Sequence, residues 1–208
     1  MEMRRRLLLG LLSVLVIAVQ ASDVSSQNKL PPFCGHYDCP KYQLVKQYDI
    51  SFELRRYEET HWVTTPLDMY IFDMGMVTSF NRLFKYISGG NAEGLKMSMT
   101  VPVVMCLPLE LPPTKNATMS FFVLHAVENP PRPTDPEVYL DTYPAASVYV
   151  KSFGGYALNE AYAEQAKALA ENLRILGLQF DDTYFIRAGY NSPFDFFNRH
   201  NEVWYMAK

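Results

Sequence analysis

Hydrophobic and polar positions along the chain form a pattern that occurs twice, at an offset of 86 residues. Phe52-Glu53-Leu54-Arg55-Arg56-Tyr57 falls on Val138-Tyr139-Leu140-Asp141-Thr142-Tyr143, and His61-Trp62-Val63-Thr64 falls on Ser147-Val148-Tyr149-Val150. In both copies the two runs alternate or are rich in β-branched and aromatic residues, which predicts the strands of a hairpin. The same offset carries residues 74 to 88 onto 160 to 174, where the apolar spacing becomes helical. The first helix has Asp73 as a candidate N-cap, a stripe of Met76, Phe80, Leu83, Phe84 and Ile87, and Gly89-Gly90 to end it. The second starts near Asn159, places Tyr162, Ala166, Leu169, Leu173 and Leu176 on one face, sets Arg174 at the negative end of the helix dipole and stops at Gly177.

Further strands are expected after each helix: Met97 to Met105 and Met119 to Val127 in the first half, Thr183 to Ala188 and Glu202 to Ala207 in the second. Each half therefore reads strand, strand, helix, strand, strand, with Asn129-Pro130-Pro131-Arg132-Pro133 as the connector between halves. The expected class is α+β: about eight strands, mostly antiparallel because short links join them, with two helices outside.

The N-terminus changes the picture of where this domain works. Arg4, Arg5 and Arg6 precede an apolar run of 13 residues, Leu7 to Val19, and small residues surround a cut after Ala21. That is the layout of a cleavable signal peptide over residues 1 to 21. A spanning helix needs about 20 apolar residues, so a retained membrane anchor is the weaker reading, and export is the expected fate. The mature 187 residues suit one domain. Removing three arginines and Glu2 from 19 basic and 22 acidic residues leaves a net charge of −5 with no basic block, which disfavours nucleic acid as a partner.

Three cysteines remain, Cys34, Cys39 and Cys106. In an oxidising compartment the short loop Gly35-His36-Tyr37-Asp38 can close a Cys34 to Cys39 bridge, leaving Cys106 as a buried thiol in Val103 to Leu107. Pairing of Cys106 with either of the others stays open. Asn116-Ala117-Thr118 is a glycosylation sequon in a stretch, Pro108 to Lys115, that reads as an exposed loop.

Enzymatic machinery is not evident. The chain has no Gly-x-Ser-x-Gly elbow, His-Glu-x-x-His pair, Gly-x-Gly-x-x-Gly loop or Walker loop. Gly154-Gly155 precedes a helix but reads as a turn, and Asp181-Asp182 and Glu58-Glu59 read as solvated turns. His36 lies between two cysteines, yet no second ligand pair completes a zinc site, so no metal is expected. What stands out is 14 tyrosines, 13 phenylalanines and 10 methionines. Most belong in a core, but Val77 and Phe84 lie at the flank of the first helix's stripe, and the loop Gly189 to Phe197 carries four aromatics. Exposed aromatics there suggest a surface for a flat apolar ligand.

Seven motifs in order carry a resemblance: Cys39-Pro40-Lys41-Tyr42, Glu53-x-Arg55-x-Tyr57, Trp62-Val63-x-Thr65, Lys96-Met97-x-Met99-Thr100-x-Pro102-Val103, Ser152-Phe153-Gly154-Gly155, Ala188-Gly189-Tyr190-Asn191-Ser192-Pro193 and Asn201-Glu202-Val203-Trp204. The chain resembles the SOUL haem-binding protein family over roughly residues 38 to 206. Residues 22 to 37 then form an N-terminal extension and 38 to 208 the domain, with pseudo-repeats at about 42 to 127 and 136 to 207. The resemblance implies a duplicated, distorted antiparallel barrel with two helices. It also implies non-covalent binding of haem or another tetrapyrrole in an apolar groove between the first helix and the loop before the last strand.

Carried onto this sequence, the implied groove comprises Val77, Phe80, Phe84 and the Tyr190 to Phe194 segment, with Arg82, Lys85 and Lys96 as cations for the propionates. A branch of the family has an axial histidine where this chain has Arg56, so the expected binding is hydrophobic and weakly ligated, with His61 the alternative ligand. Cys39-Pro40 also resembles a haem-regulatory dipeptide, but a disulfide would occupy that sulfur. A competing reading is an interaction module that takes another planar apolar ligand or a protein segment in the same groove. A turnover enzyme is a third, with little support.

Overall fold

The computed structural model describes residues 30 to 208 apart from 50, 71, 110 to 115, 125 and 193. The expected signal peptide lies outside the described residues. Among the described residues a short 3-10 helix (Pro32–Cys34) is followed by β1 (Tyr42–Tyr48), β2 (Phe52–Tyr57), β3 (Thr60–Pro66), α1 (Phe72–Ile87), β4 (Val103–Pro108), β5 (Thr118–Val123), β6 (Tyr139–Tyr143), β7 (Ala146–Gly154), α2 (Asn159–Ile175), β8 (Tyr184–Gly189) and β9 (His200–Met206). The nine strands form one antiparallel sheet in the order β1-β2-β7-β9-β8-β4-β5-β3-β6. The class is α+β, as expected, with a curled, barrel-like sheet.

That order is a pseudo-twofold array centred on the β4–β8 pair, with β1 as an extra edge strand. The repeat is visible in the register itself. Tyr57 pairs with Ala146, and moving both by 86 residues gives Tyr143 paired with Thr60, which is the register of β3 against β6. The expected hairpins are not formed, however. Only Glu58 and Glu59 separate β2 from β3, yet β2 pairs with β1 and β7 while β3 pairs with β5 and β6. Each half sends its first strand to the outer edge of the other half. Local alternation specifies a strand but not its neighbour, and here the neighbours are distant in sequence.

Side chains alternate between two cores. On one sheet face Val63, Met105, Phe121, Tyr149 and Val203 belong to the cluster that both helices cover. On the other, Tyr57, Trp62, Val104, Phe122, Val150, Ile186 and Trp204 form a second cluster, which residues Leu30 to Tyr42 help to close. The Cys34–Cys39 disulfide is formed and both cysteines are buried there, while Cys106 stays outside it, half-buried on β4. The segment before the domain thus packs into it.

Strand and helix boundaries differ from the sequence pattern where a side chain prevents regularity. Met97 to Pro102 makes only an isolated bridge, Thr100 with Asp38, and β4 begins at Val103; Pro102 has no N–H to give a ladder. β1 escapes the alternation pattern because it is an edge strand with five consecutive exposed residues. Asp73 is not a cap but lies inside the first turn of α1, where its carboxylate accepts a hydrogen bond from Asn159 Nδ2 at 3.3 Å. Those residues are 86 apart, so the two helices meet at equivalent positions. α1 turns Gly75, Ser79, Leu83, Tyr86 and Ile87 inward, a stripe rotated from the expected one, and α2 buries Tyr162, Ala166, Leu169, Ala170 and Leu173 but leaves Leu176 exposed.

Gly75 explains the rotation of α1. A Cβ at this position would fall 2.3 Å from the Asp68 carbonyl oxygen, so the helix approaches the preceding turn as closely as only glycine allows. Alanine would gain about 1 kcal/mol in helix propensity but collide with backbone that cannot rotate aside, at a cost of about 1–3 kcal/mol. Gly75→Ala should therefore lower the urea midpoint of unfolding; a raised midpoint would show that α1 does not seat this closely.

Candidate functional site

Two features stand out around the sheet, a buried charge cluster on one face and an exposed apolar helix surface on the other. The cluster centres on Glu202 of β9, which is fully buried. Arg55 of β2 reaches across β7 and donates from both terminal guanidinium nitrogens to the two carboxylate oxygens at 2.9 and 3.1 Å. Tyr190 Oη donates to Glu202 at 2.8 Å, Trp204 Nε1 donates at 2.7 Å, and His200 Nε2 lies 2.7 Å from it. Glu53 makes a further close contact with Arg55, and the Arg55 guanidinium sits 4.2 Å over the Tyr42 ring.

Electrostatics follow from this geometry. Burial would raise the Glu202 pKa, but the hydrogen bond from His200 and the charge and hydrogen bonds of Arg55 outweigh it, holding the carboxyl at about 2. Burial opposes charge on Arg55 as well; the Glu202 carboxylate overcomes it and keeps the guanidinium above its ordinary range. The phenols of Tyr57 and Tyr190 are pushed up by burial. Glu202, Arg55, Tyr57 and Tyr190 are buried and bonded to one another, which is structural rather than reactive chemistry. Phe33 seals one side, stacked on His200 at 4.1 Å and edge-on to Tyr190 at 5.0 Å.

Tyr190 therefore does not belong to the expected groove. It is buried, tied to Glu202 and counted in the core opposite the helices, whereas Phe80 packs against the helix-side core. The remaining expected groove residues are distributed along α1 and one loop. Val77 is 62% exposed and Phe84 47%, one above the other seven residues apart on the helix. Between them Phe80 is half-buried, with its ring 6.0 Å from Phe84 and 5.1 Å from Phe121 of the core. Met74, 66% exposed, extends this surface by a turn and was not singled out by the sequence pattern. Phe194, 83% exposed, lies on the β8–β9 loop together with exposed Phe196 and Phe197. Arg199 anchors that loop beside the segment leading into α2, its guanidinium 4.7 Å from the Tyr156 ring.

The expected cations divide. Lys85 and Lys96 are exposed, and a bridge between Ser88 and Lys96 places Lys96 beside the C-terminal end of α1. Arg82 is half-buried and 3.9 Å from Glu137. His61 is half-exposed, with Nδ1 3.2 Å from Thr142 Oγ1. It lies on β3 in alternation with Val63, and so on the helix-bearing face. Arg56, in the place of the axial histidine, is exposed. Asn116 is exposed. Among the described residues no group of three or more His, Cys, Asp or Glu could hold a metal ion, and no helix is long and apolar enough to cross a membrane.

Glu202 and Arg55 are the residues that sequence reasoning did not single out. Alternation in β2 puts Arg55 on the same step as Glu53, a polar one, and β9 is buried without alternation, so spacing alone gave no signal for either.

Comparison with known proteins adds the following. The family model described as SOUL heme-binding protein matches residues 37–206. Heme-binding protein 2 of Homo sapiens is 34% identical over 161 residues, covering 76% of this chain and 78% of that protein. Heme-binding protein 1 of Xenopus tropicalis is 30% identical over 164 residues, covering 76% and 84%. Among solved structures, the EcmrR C-terminal domain has a TM-score of 0.51 at 8% identity, covering 80% of this chain and 98% of that one. A hydrolase from Listeria innocua has a TM-score of 0.51 at 10% identity, covering 77% and 93%. These two share the fold alone.

Glu202→Gln removes the fully buried counter-charge of Arg55, leaving only the partly exposed Glu53, and should cost about 3 kcal/mol at neutral pH. Because the folded carboxyl sits at about 2 against an ordinary 4.5, its contribution is complete above the ordinary value and is lost as pH falls toward 2. Urea unfolding of both proteins across this range should show the stability gap narrowing with acid; a gap that is absent at neutral pH or constant with pH would contradict the assignment.

Proposed function

The chain belongs to the SOUL haem-binding protein family, and on that premise we propose that it binds haem or a related tetrapyrrole, non-covalently and without catalysis, on the outer face of α1. The observation that carries the location is the exposed apolar column Met74, Val77 and Phe84, backed by Phe80. Val77 to Phe84 spans about 10 Å at 1.5 Å per residue, a flat wall on the scale of a macrocycle. Burying such side chains against a flat ligand contributes roughly 25 cal/mol per Å². Lys85 and Lys96, both exposed near the C-terminal end of the helix, supply charge for the propionates. Arg82 is already close to Glu137. Phe194, Phe196 and Phe197 are further exposed aromatics, on the β8–β9 loop.

Iron ligation is secondary in this reading. A guanidinium at position 56 cannot serve as an axial ligand, and His61, with Nδ1 3.2 Å from Thr142 Oγ1, is the alternative through Nε2. The site rests on apolar contact and charge. The Cys39 sulfur is held in the disulfide and offers no thiolate.

Export is part of the same proposal. The disulfide is the bond of an oxidising compartment, which agrees with a leader over residues 1 to 21 and a glycan at the exposed Asn116. Expression of the full chain in a secretory cell should release protein that begins at Ser22 and loses mass on amidase deglycosylation. Cytosolic protein retaining residues 1 to 21 would contradict it.

Binding is tested by titrating the mature protein with hemin. A saturable Soret shift is expected, weakened about tenfold in Phe84→Ala through the lost apolar contact. It should weaken also in Lys85→Glu and stay unchanged in Tyr190→Phe. Equal affinity of Phe84→Ala and the parent, or loss in Tyr190→Phe alone, would move the site off α1.

A further inference from the structure

The β8–β9 loop is built inside out. Its polar side chains turn back onto its own backbone: Asp195 Oδ2 accepts from the Ser192 N–H at 3.0 Å, Ser192 Oγ from the Phe194 N–H at 3.3 Å, and Asn191 Oδ1 from the His200 N–H at 2.8 Å. The Arg199 guanidinium draws the two arms together, donating to the carbonyls of Ser192 and Asp195 at 2.7 and 2.6 Å. The rings are left in water instead: Phe196 is 69% exposed and Phe197 86%, beside Phe194. Tyr156, under the Arg199 guanidinium, and Leu158, just before α2, are exposed too and widen the surface. The three phenylalanines alone present roughly 400 Å² of apolar area, a size that marks a contact surface rather than scattered exposure.

We propose that this loop docks the protein on a lipid bilayer, with Phe194, Phe196 and Phe197 entering the interface of a zwitterionic membrane. The occupant follows from the backbone. Among acyl chains a polar backbone group finds no water, so a loop can enter only where its N–H and C=O groups are satisfied within the protein. This loop meets that condition around its turn. The N–H groups of Ser192, Phe194 and Asp195 and the carbonyls of Ser192 and Asp195 all have partners inside the loop, the Asp195 N–H donating to the Ser192 carbonyl at 3.0 Å. A partner protein could supply such bonds itself; a membrane cannot. Charge selects the lipid: Asp195 and Arg199 cancel within the loop and the mature chain is net negative, so anionic headgroups offer no attraction. Rings that protrude from a turn, rather than line a groove, suit a soft surface without fixed shape. The proposal uses none of the α1 residues that carry the tetrapyrrole reading and does not depend on it.

Sedimentation of the mature protein with sucrose-loaded phosphatidylcholine vesicles, in about 0.1 M and about 1 M sodium chloride, tests this. Lipid-dependent pelleting is expected at both salt concentrations. It should weaken about tenfold in the double variant Phe196→Ser/Phe197→Ser and several-fold in Phe194→Ser, through the lost apolar contact. These side chains are exposed, so both variants should keep the parent's urea midpoint. Phe84→Ala on α1 should pellet as the parent does. No pelleting, equal pelleting of both loop variants, or loss in Phe84→Ala alone would overturn the proposal. Pelleting confined to phosphatidylserine vesicles and abolished by salt would overturn it as well. So would a lipid-free dimer on gel filtration that the double variant dissociates, since the rings would then belong to contact with a second copy.

Discussion

A carboxylate and a guanidinium, both sealed from water, decide how this sheet is assembled. Arg55 and Glu202 are 1% and 0% exposed and stand on strands separated by β7. Each alone would carry a desolvation cost of several kcal/mol; together, with Tyr190, Trp204 and His200 completing the carboxylate's hydrogen bonds, they are satisfied in one arrangement only. That arrangement fixes β2, a strand of the first half, beside the strands of the second. The pair has no counterpart in the repeat: the offset carries Arg55 onto Asp141, although it carries Tyr57 onto Tyr143. The duplicated architecture supplies apolar walls twice and the ion pair once.

Exchange of the first strands has consequences on both faces. It brings equivalent positions together, Asp73 with Asn159 at the helix starts and Tyr57 with Tyr143 in the core opposite the helices. It also separates the faces chemically. One is roofed by helices that leave an apolar column on the outside of α1. The other is closed by Leu30 to Tyr42, whose disulfide holds Phe33 over His200 and the charge cluster. The proposed tetrapyrrole site uses the first of these, the helix surface with its exposed lysines.

Much of the fold was legible because periodicity is local. The two helices, the strands at β2, β3 and β5 to β9, and the 86-residue repeat follow from spacing alone. Strand partners did not, since Phe52 to Tyr57 alternates identically whether it pairs with β3 or β7. The rotation of α1 depends on Gly75 meeting the Asp68 carbonyl, a contact that no helical wheel contains. The candidate surface was half legible: Val77 and Phe84 were visible as flanking positions, whereas Tyr190, read as an exposed loop aromatic, is claimed by Glu202. A Tyr with an apolar ring and a polar tip serves either role, and only its partner twelve residues on decides.

The central claim is that α1's outer face, not the aromatic face, receives the tetrapyrrole. Hydrogen–deuterium exchange of the mature protein with and without hemin tests it most directly. Slower exchange is predicted across Phe72 to Ile87 and in the peptide containing Lys96, with Thr60 to Val63 and Glu202 to Met206 unchanged. Protection confined to those latter strands, with α1 unaffected, would contradict the account.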